Sequence, residues 1–471
     1  MCRPLFRIAS AVVFTAIAAL PLFADTLTVT QTVDSGPGSL RQALTDADAN
    51  PGPDTVVFNI PVSDPGFNAA VGVWTIQPQT ALPELTDDGT TIDGSTQAVF
   101  IGADTNPLGP EIELDGSSAG AENGLAIASS GNTVHGLVIN RFAAFGINIY
   151  NRLATYNTVT GCYIGTDPTG TIAQGNGFSG IILYNGAADC TIGGATATHR
   201  NVVSGNGWSG VEIQAWNADN NVVIGNYIGV NATGNAALGN DREGVNIWSG
   251  ATGNRIGGAN PGESNVISAN QWAGVSLGGA GTDLNVLHGN LIGTDATGTV
   301  LFGNGHSGIQ ISGASNIIGG SGGNEGNLIS GNGSDGVAVG GASGIGNSIR
   351  QNSITANSGI GIRNLDGGNG ELSPPVIISI GTAGVSGTAP PDSTVEIFSD
   401  EEDEGRVFEG SVSAGAAGDF LWAGTPTGPW VTATATDAIG NTSQFSAPSS
   451  LPIFADGFED GTVSAWSVSV P

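Results

Sequence analysis

Four residues carry reactive side chains at matched positions. Asp241, Arg242 and Glu243 stand together in "GNDREG", and His306 fills the same place in "GNGHSG". Two carboxylates facing each other across a glycosidic bond are the requirement for glycoside hydrolysis. An Arg beside acids is the requirement for base-driven polysaccharide lysis, there with an acid-bound Ca²⁺. Asp241 and Glu243 alternate in one short corner, so these four are the only candidate catalytic residues, and solvated corner positions are the simpler reading.

Other reactive signatures fail on composition. The 11 basic residues are all Arg, so neither a lysine base nor a phosphate loop ending in Gly-Lys-[Ser/Thr] exists. "GTDATG", from Gly293, has one acid where a calcium loop of the EF-hand kind needs several, and its counterpart has Asn231 in place of Asp295. The acid run 401–404 reads as a solvated hairpin tip. No metal site is expected and no cofactor, Ca²⁺ being the single one the acidic surface admits. A formal net charge of −30 repels nucleic acid and anionic membrane.

The elements that hold these residues are set by a repeat. Ile-Gly-x-x-x-Thr-Gly begins at Ile164, Ile228 and Ile292, a step of 64 residues. A shorter marker, Gly-apolar-x-apolar, begins at Gly124, Gly146, Gly180, Gly210, Gly244, Gly274, Gly308, Gly336 and Gly359. Each marker step holds three short strands and tight turns. The shortest, 22 residues, is one turn of a β-solenoid at about 3.3 Å per strand residue. The longer steps add residues between the second and third strands, which puts both kinds of insert on one corner, opposite the Trp-bearing one. Asn176, Asn206, Asn240, Asn270, Asn304 and Asn332 recur in register and read as a structural amide ladder. Asp-Gly-Ser at Asp93 and Asp115 repeats with a step of 22, so turns begin before Gly124.

The corner triplet before each marker presents Phe178, Trp208, Arg242, Trp272 and His306 on successive turns. Rings spaced by one strand separation suit stacking on sugars, so Phe178, Trp208 and Trp272 are the candidate ligand residues; a simple corner cover is the alternative. Trp216 and Trp248 follow marker strands and are open to the same two readings. Among the scattered arginines, Arg242 alone stands in an evident acid cluster.

Both ends of a solenoid need caps. In "SLRQALTDADA" Leu40, Ala43, Leu44 and Ala47 share a helical face, and Ser39 with Gln42 forms a capping box. After Leu372 come Pro374-Pro375 and alternating apolar runs, which predict a small β-sandwich. Residues 1–24 read as a secretory signal with Arg3 and Arg7 ahead of an apolar run too short to span a bilayer. No later stretch spans one. Cys2 leaves with the signal; Cys162 and Cys190 either bridge or stand in for Asn at two different ladder slots.

The Asn-x-[Val/Ile]-x-Gly-Asn turns and "IGTDATG" loops of residues 124–363 resemble secreted bacterial right-handed parallel β-helix repeat proteins. Gly38-Ser39-Leu40-Arg41-Gln42-Ala43-Leu44 is similar to that family's Cys-Ser-Leu-Arg-Glu-Ala-Ile segment, with the Cys absent. "VTATATDAIGNTSQFS" looks like the end of a bacterial Ig-like domain, and "DGFEDGTVSAW" like a C-terminal motif of secreted proteobacterial proteins. The resemblance implies an all-β chain: signal 1–24, N-terminal helical cap and first turns 25–123, right-handed parallel β-helix 124–371, Ig-like β-sandwich 372–451 and tail 452–471. The family mixes adhesins, surface proteins, lyases and glycosidases. The expected function is therefore a secreted or cell-surface structural or binding protein, an adhesin or glycan binder, with an extracellular glycan or surface partner. A polysaccharide lyase or glycoside hydrolase is the alternative.

Overall fold

Val245, Ile247, Ile256 and Ile267 are all fully buried, and they come from three different strands of one turn. Alternation puts their neighbours outside. Stacking such turns builds a single aliphatic column, in which each Val or Ile contributes about 1.5–3 kcal/mol on burial. The result, in a computed structural model that describes residues 24–401 and 403–450, is a parallel β-helix. Three sheets run its length. Sheet 1 has 11 strands from Thr26–Val29 to Ser348–Arg350, sheet 2 has nine from Leu125–Ile127 to Ile362–Leu365, and sheet 3 has 11 from Phe67–Asn68 to Ser353–Thr355. The expected signal segment before Ala24 and the tail 452–471 lie outside the described residues. Among the described residues no helix is long and apolar enough to cross a membrane.

Each corner carries an asparagine ladder. Between sheets 3 and 2, Nδ2 of Asn176, Asn206, Asn240, Asn270, Asn304 and Asn332 each donates to the Oδ1 of the next, at 2.9–3.0 Å, and Asn357 completes the run. A second ladder, from Asn221 to Asn369, lines the corner between sheets 2 and 1, and a third, from Asn201 to Asn352, lines the corner between sheets 1 and 3. Cys190 precedes Asn221 and Cys162 precedes Asn201, each donating its backbone N–H to that asparagine. The two thiols thus sit on different corners, buried and free. Burial pushes their pKa values up to about 12 for Cys162 and about 11 for Cys190, which makes them poor nucleophiles.

The inserts fall on two corners, not one. Residues 194–201 do lie between sheets 1 and 3, as the spacing predicts. Residues 165–176, 229–240 and 293–304 instead follow the third strand, because that strand is only Tyr163–Ile164, Tyr227–Ile228 or Leu291–Ile292. They therefore share the corner of Trp208 and Trp272 rather than opposing it. Each loop is closed on its acid or amide: the Asp295 carboxylate accepts from the Thr299 and Val300 N–H groups and the Thr297 hydroxyl, and Asn231 does the same for Asn235 and Ala236. Burial opposes the charge on Asp295, but these donors outweigh it and hold its pKa below the usual range. Gly293 is obligatory: its φ is +91° and a Cβ there would lie 2.1 Å from the Ser330 carbonyl oxygen. Successive loops also stack, with Ala232 N–H on Gly170 O and Ala296 N–H on Gly234 O, each 2.9 Å.

Three further sequence readings change. The two Asp-Gly-Ser segments belong to sheets 1 and 3, so their spacing is not a turn. The last marker glycine is Gly361, since Val337 pairs with Ile362. Helix Leu40–Ala49 is capped by the Ser39 hydroxyl accepting from Gln42 N–H, while Ser39 N–H bonds Gly36 O, leaving the box half formed.

The far end is closed by two small antiparallel sheets, of three and four strands, spanning Val376–Ser450. They supply acceptors to the last turn. Glu404 receives Asn357 N–H and Nδ2, at the end of the first ladder; Glu396 receives Gln351 N–H and pairs with Arg350 at 3.0 Å; the Thr442 hydroxyl receives Ile349 N–H. The acid run 401–404 is thus not wholly solvated: Glu401 and Asp403 are exposed, but Glu404 is buried. Burial and the nearby Asp400 and Asp403 charges push its pKa up to about 7 against the Asn357 donations.

Candidate functional site

Sheet 2 turns its outward residues toward a face bounded by two columns of large side chains. Its first outward column runs Asn148, Ile182, Glu212, Asn246, Ser276 and Gln310, in register. The second runs Tyr150, Tyr184, Gln214 and Trp248. The corner column stands on the other side. From the Asn148 turn to the Gln310 turn the face extends about 24 Å along the axis.

The corner residues form a continuous stack. Phe145 and Phe178 lie 5.3 Å apart, Phe178 meets Trp208 edge-on at 6.3 Å, and Trp272 stacks on His306 at 6.3 Å and 19°. Arg242 fills the gap, its guanidinium 4.3 Å from the Trp208 ring centre and 5.2 Å from that of Trp272. The faces of Trp208 and Trp272 are therefore engaged along the axis, and they offer edges rather than flat platforms to a ligand. His306 is held by that stack and by a 3.4 Å contact with Ser307. Arg242 stands between two acids in the sequence, yet among the described residues it forms no ion pair, whereas Arg141, Arg255, Arg350 and Arg363 each do. Asp241 is exposed.

Trp216 supplies what the corner column lacks. Its ring lies across the turn glycines of the next two turns: a Cβ on Gly250 or on Gly281 would come within 2.7 Å of it. Those glycines let the indole lie against the backbone, and it remains 66% exposed, so one face is open to solvent. Trp248, beside it, is followed on the next turn by Gly278, which leaves that flank open too.

Glu212 lies between the columns. Although outward-facing, it is only 6% exposed. Its carboxylate accepts from Ser179 Oγ at 2.7 Å and Trp248 Nε1 at 3.1 Å. Burial raises its pKa, and the charge of Glu243 adds to that, against the Ser179 and Trp248 donations. Glu243, on the next turn, is less buried and accepts from Ser209 Oγ at 3.0 Å. Glu243 is thus a second carboxylate near enough for its charge to act on Glu212. The alternation in "GVEI" places Glu212 outside; only the stacking of turns reveals its proximity to Glu243.

At the first-turn end of the same face, Tyr150 and Tyr184 stack at 5.8 Å and 22°, and the Tyr150 hydroxyl donates to Glu84. That carboxylate raises the Tyr150 pKa to about 12. Among the described residues no group of three or more His, Cys, Asp or Glu side chains is arranged to hold a metal ion.

Fold and face together define a class: a parallel β-helix with an aromatic-flanked face along one sheet. No protein-family model and no curated protein matches the chain.

Proposed function

We propose that the chain is a secreted or cell-surface binding protein of the bacterial β-helix repeat type, carrying an Ig-like C-terminal module, that holds an extended glycan along sheet 2. The observation that supports this most is Trp216, an indole laid flat over Gly250 and Gly281 with its outer face open, beside Trp248 and the Glu212 carboxylate. A flat apolar ring next to hydrogen-bonding groups is the chemistry a sugar ring requires. From Asn148 to Gln310 the outward column holds amides, a serine hydroxyl and the Glu212 carboxylate, and Arg242 beside it lies between two indoles, so neutral or amino-bearing glycans fit it better than polyanionic ones. A glycan array on residues 25–451, followed by titration of the hits, tests the reading. Binding that is indifferent to Trp216→Ala plus Trp248→Ala sinks it.

A second reading rests on the unequal environments of Glu212 and Glu243. A buried carboxyl with raised pKa beside a more solvated carboxylate is the acid and base pair of a glycoside hydrolase. Release of reducing ends from polysaccharide, lost in both Glu212→Gln and Glu243→Gln, favours hydrolysis. Stable complexes without product favour binding alone. Unsaturated products point to lysis instead.

A further inference from the structure

The inserts on the corner between sheets 1 and 3 are unevenly spaced. Segments 194–201, 258–265 and 320–327 have one bare turn between neighbours, whereas 94–111 and 194–201 have two. At the single bare turns the inserts close in from both sides: a Cβ on Gly225 would lie 2.1 Å from Gly194 O and 2.8 Å from Gly262 O. Across the double gap they do not meet. Gly136 is approached from the first insert, by Ser95 N at 3.1 Å from its would-be Cβ, and Gly161 from the second, by Thr198 O at 2.7 Å. A cavity of about 450 Å³ remains between them.

Its two ends carry opposite charge. Carrying the register of sheet 3 back to the corner puts Glu111, Gly136, Gly161 and Arg200 in one column. Glu111 and Arg200 thus stand three strand separations apart, about 14 Å at the backbone, over a floor without side chains. Among the described residues neither forms an ion pair. The guanidinium of Arg200 lies 4.2 Å from the Tyr227 ring centre and its Nε donates to Gly225 O, which leaves the Nη edge for the cavity. Glu111 is 5% exposed, with the exposed Asp104 carboxylate close by. Burial pushes the Glu111 pKa up to about 7 and the Asp104 charge adds to this, against its own N–H and that of Thr105. A cation docked there restores the charged form.

We propose that this cavity binds a short peptide in extended form, with its free amino group at Glu111 and Asp104 and its free carboxylate on Arg200. A planar guanidinium edge pairs bidentately with a carboxylate. An extended chain advances about 3.3–3.6 Å per residue, so about four residues span the column, and a single amino acid does not. A dipolar ligand has no net charge and is not repelled by the −30 of the chain. The cavity lies on the corner opposite sheet 2, and the assignment is independent of the glycan reading.

Calorimetric titration of the intact chain with tetraalanine, its N-acetyl form and its C-terminal amide tests this. Tetraalanine is expected to bind, and either modification to weaken binding at least tenfold. Arg200→Gln should erase the preference over the amide and keep that over the acetyl form. Glu111→Gln combined with Asp104→Asn should do the reverse. Asp104→Asn alone, at an exposed position, shrinks the preference over the acetyl form even where the double variant fails to fold. Absence of tetraalanine binding overturns the proposal. So does binding that only one modification weakens, or neither. A variant that keeps the wild-type melting temperature but loses both preferences overturns the assignment of the two ends.

Discussion

The guanidinium of Arg242 lies 4.3 Å from the centre of the Trp208 ring, and its other side faces Trp272. The cation joins two aromatic residues whose turns have no inserted loop at this corner, while Arg242 itself follows the 229–240 loop. It thereby ties three successive turns at one corner. Arg242→Ala removes two cation–π contacts and is expected to cost about 1–2 kcal/mol. Arg242→Lys should recover only part of this, because an ammonium cannot lie flat between two indoles. Urea unfolding with tryptophan fluorescence as the probe checks both. A neutral Arg242→Ala shows that the stack is incidental.

The aromatic residues make different predictions for binding. Trp216 has an open face and Trp208 and Trp272 do not. Trp216→Ala is expected to weaken glycan binding at least tenfold, about 1.4 kcal/mol, with little loss of stability. Trp208→Ala with Trp272→Ala should do the reverse, lowering stability more than affinity. Affinity measured beside melting temperature for both variants decides which column meets the ligand.

The architecture was legible because its causes are local and repeated. Asn240 and Asn304 stand 64 residues apart in the same surroundings, and the helical face of Leu40, Ala43, Leu44 and Ala47 is complete within one segment. The loop corner was misread for a physical reason. Tyr227–Ile228 is a two-residue strand with no visible alternation, whereas "ALGN" resembles a strand but only bridges Ala237 to Val230. The site was less legible still. Trp216 lies against Gly250 and Gly281, and Glu212 has its pKa raised by burial with the Glu243 charge adding to it, so that both environments draw on residues of later turns. Such relationships depend on which side chains the stacking brings together, and no motif in one turn records them.

The asparagine ladders predict large costs for small changes. Asn240 accepts from both the N–H and the Nδ2 of Asn206, and donates to Asn270 Oδ1 and Val203 O. All of these groups are buried. Asn240→Ala leaves the Asn206 N–H without a partner and removes one bond each from Asn206 Nδ2, Asn270 Oδ1 and Val203 O, which keep Ile164 O, the Asn240 N–H and the Gly229 N–H. The loss of four buried bonds is expected to destabilise by about 3–5 kcal/mol. By contrast, Asn231→Asp should be tolerated, because Asp167 and Asp295 close equivalent loops with the same donors. Chemical denaturation of the two variants side by side measures the contrast. A similar effect at both sites removes the distinction between ladder and loop.

The cap at the far end predicts a pH dependence centred on Glu404. Its folded pKa is about 7, raised from 4.5 chiefly by burial. The unfolded chain therefore releases this proton as pH rises through 4.5, while the folded chain keeps it until about 7. Folding binds the proton, so this group's contribution is most favourable at or below the unfolded pKa and declines as pH rises toward 7. The decline is of the order of 2–3 kcal/mol. Glu111, also raised to about 7, slopes the same way, whereas His288, with its lowered pKa, slopes the other way. The comparison is therefore between the wild type and Glu404→Gln, which keeps one oxygen acceptor for Asn357 and has no charge to bury. Their melting temperatures should lie close together at pH 5, with the variant the more stable of the two at pH 7.5. A difference that does not change between these pH values shows that Glu404 does not titrate with folding.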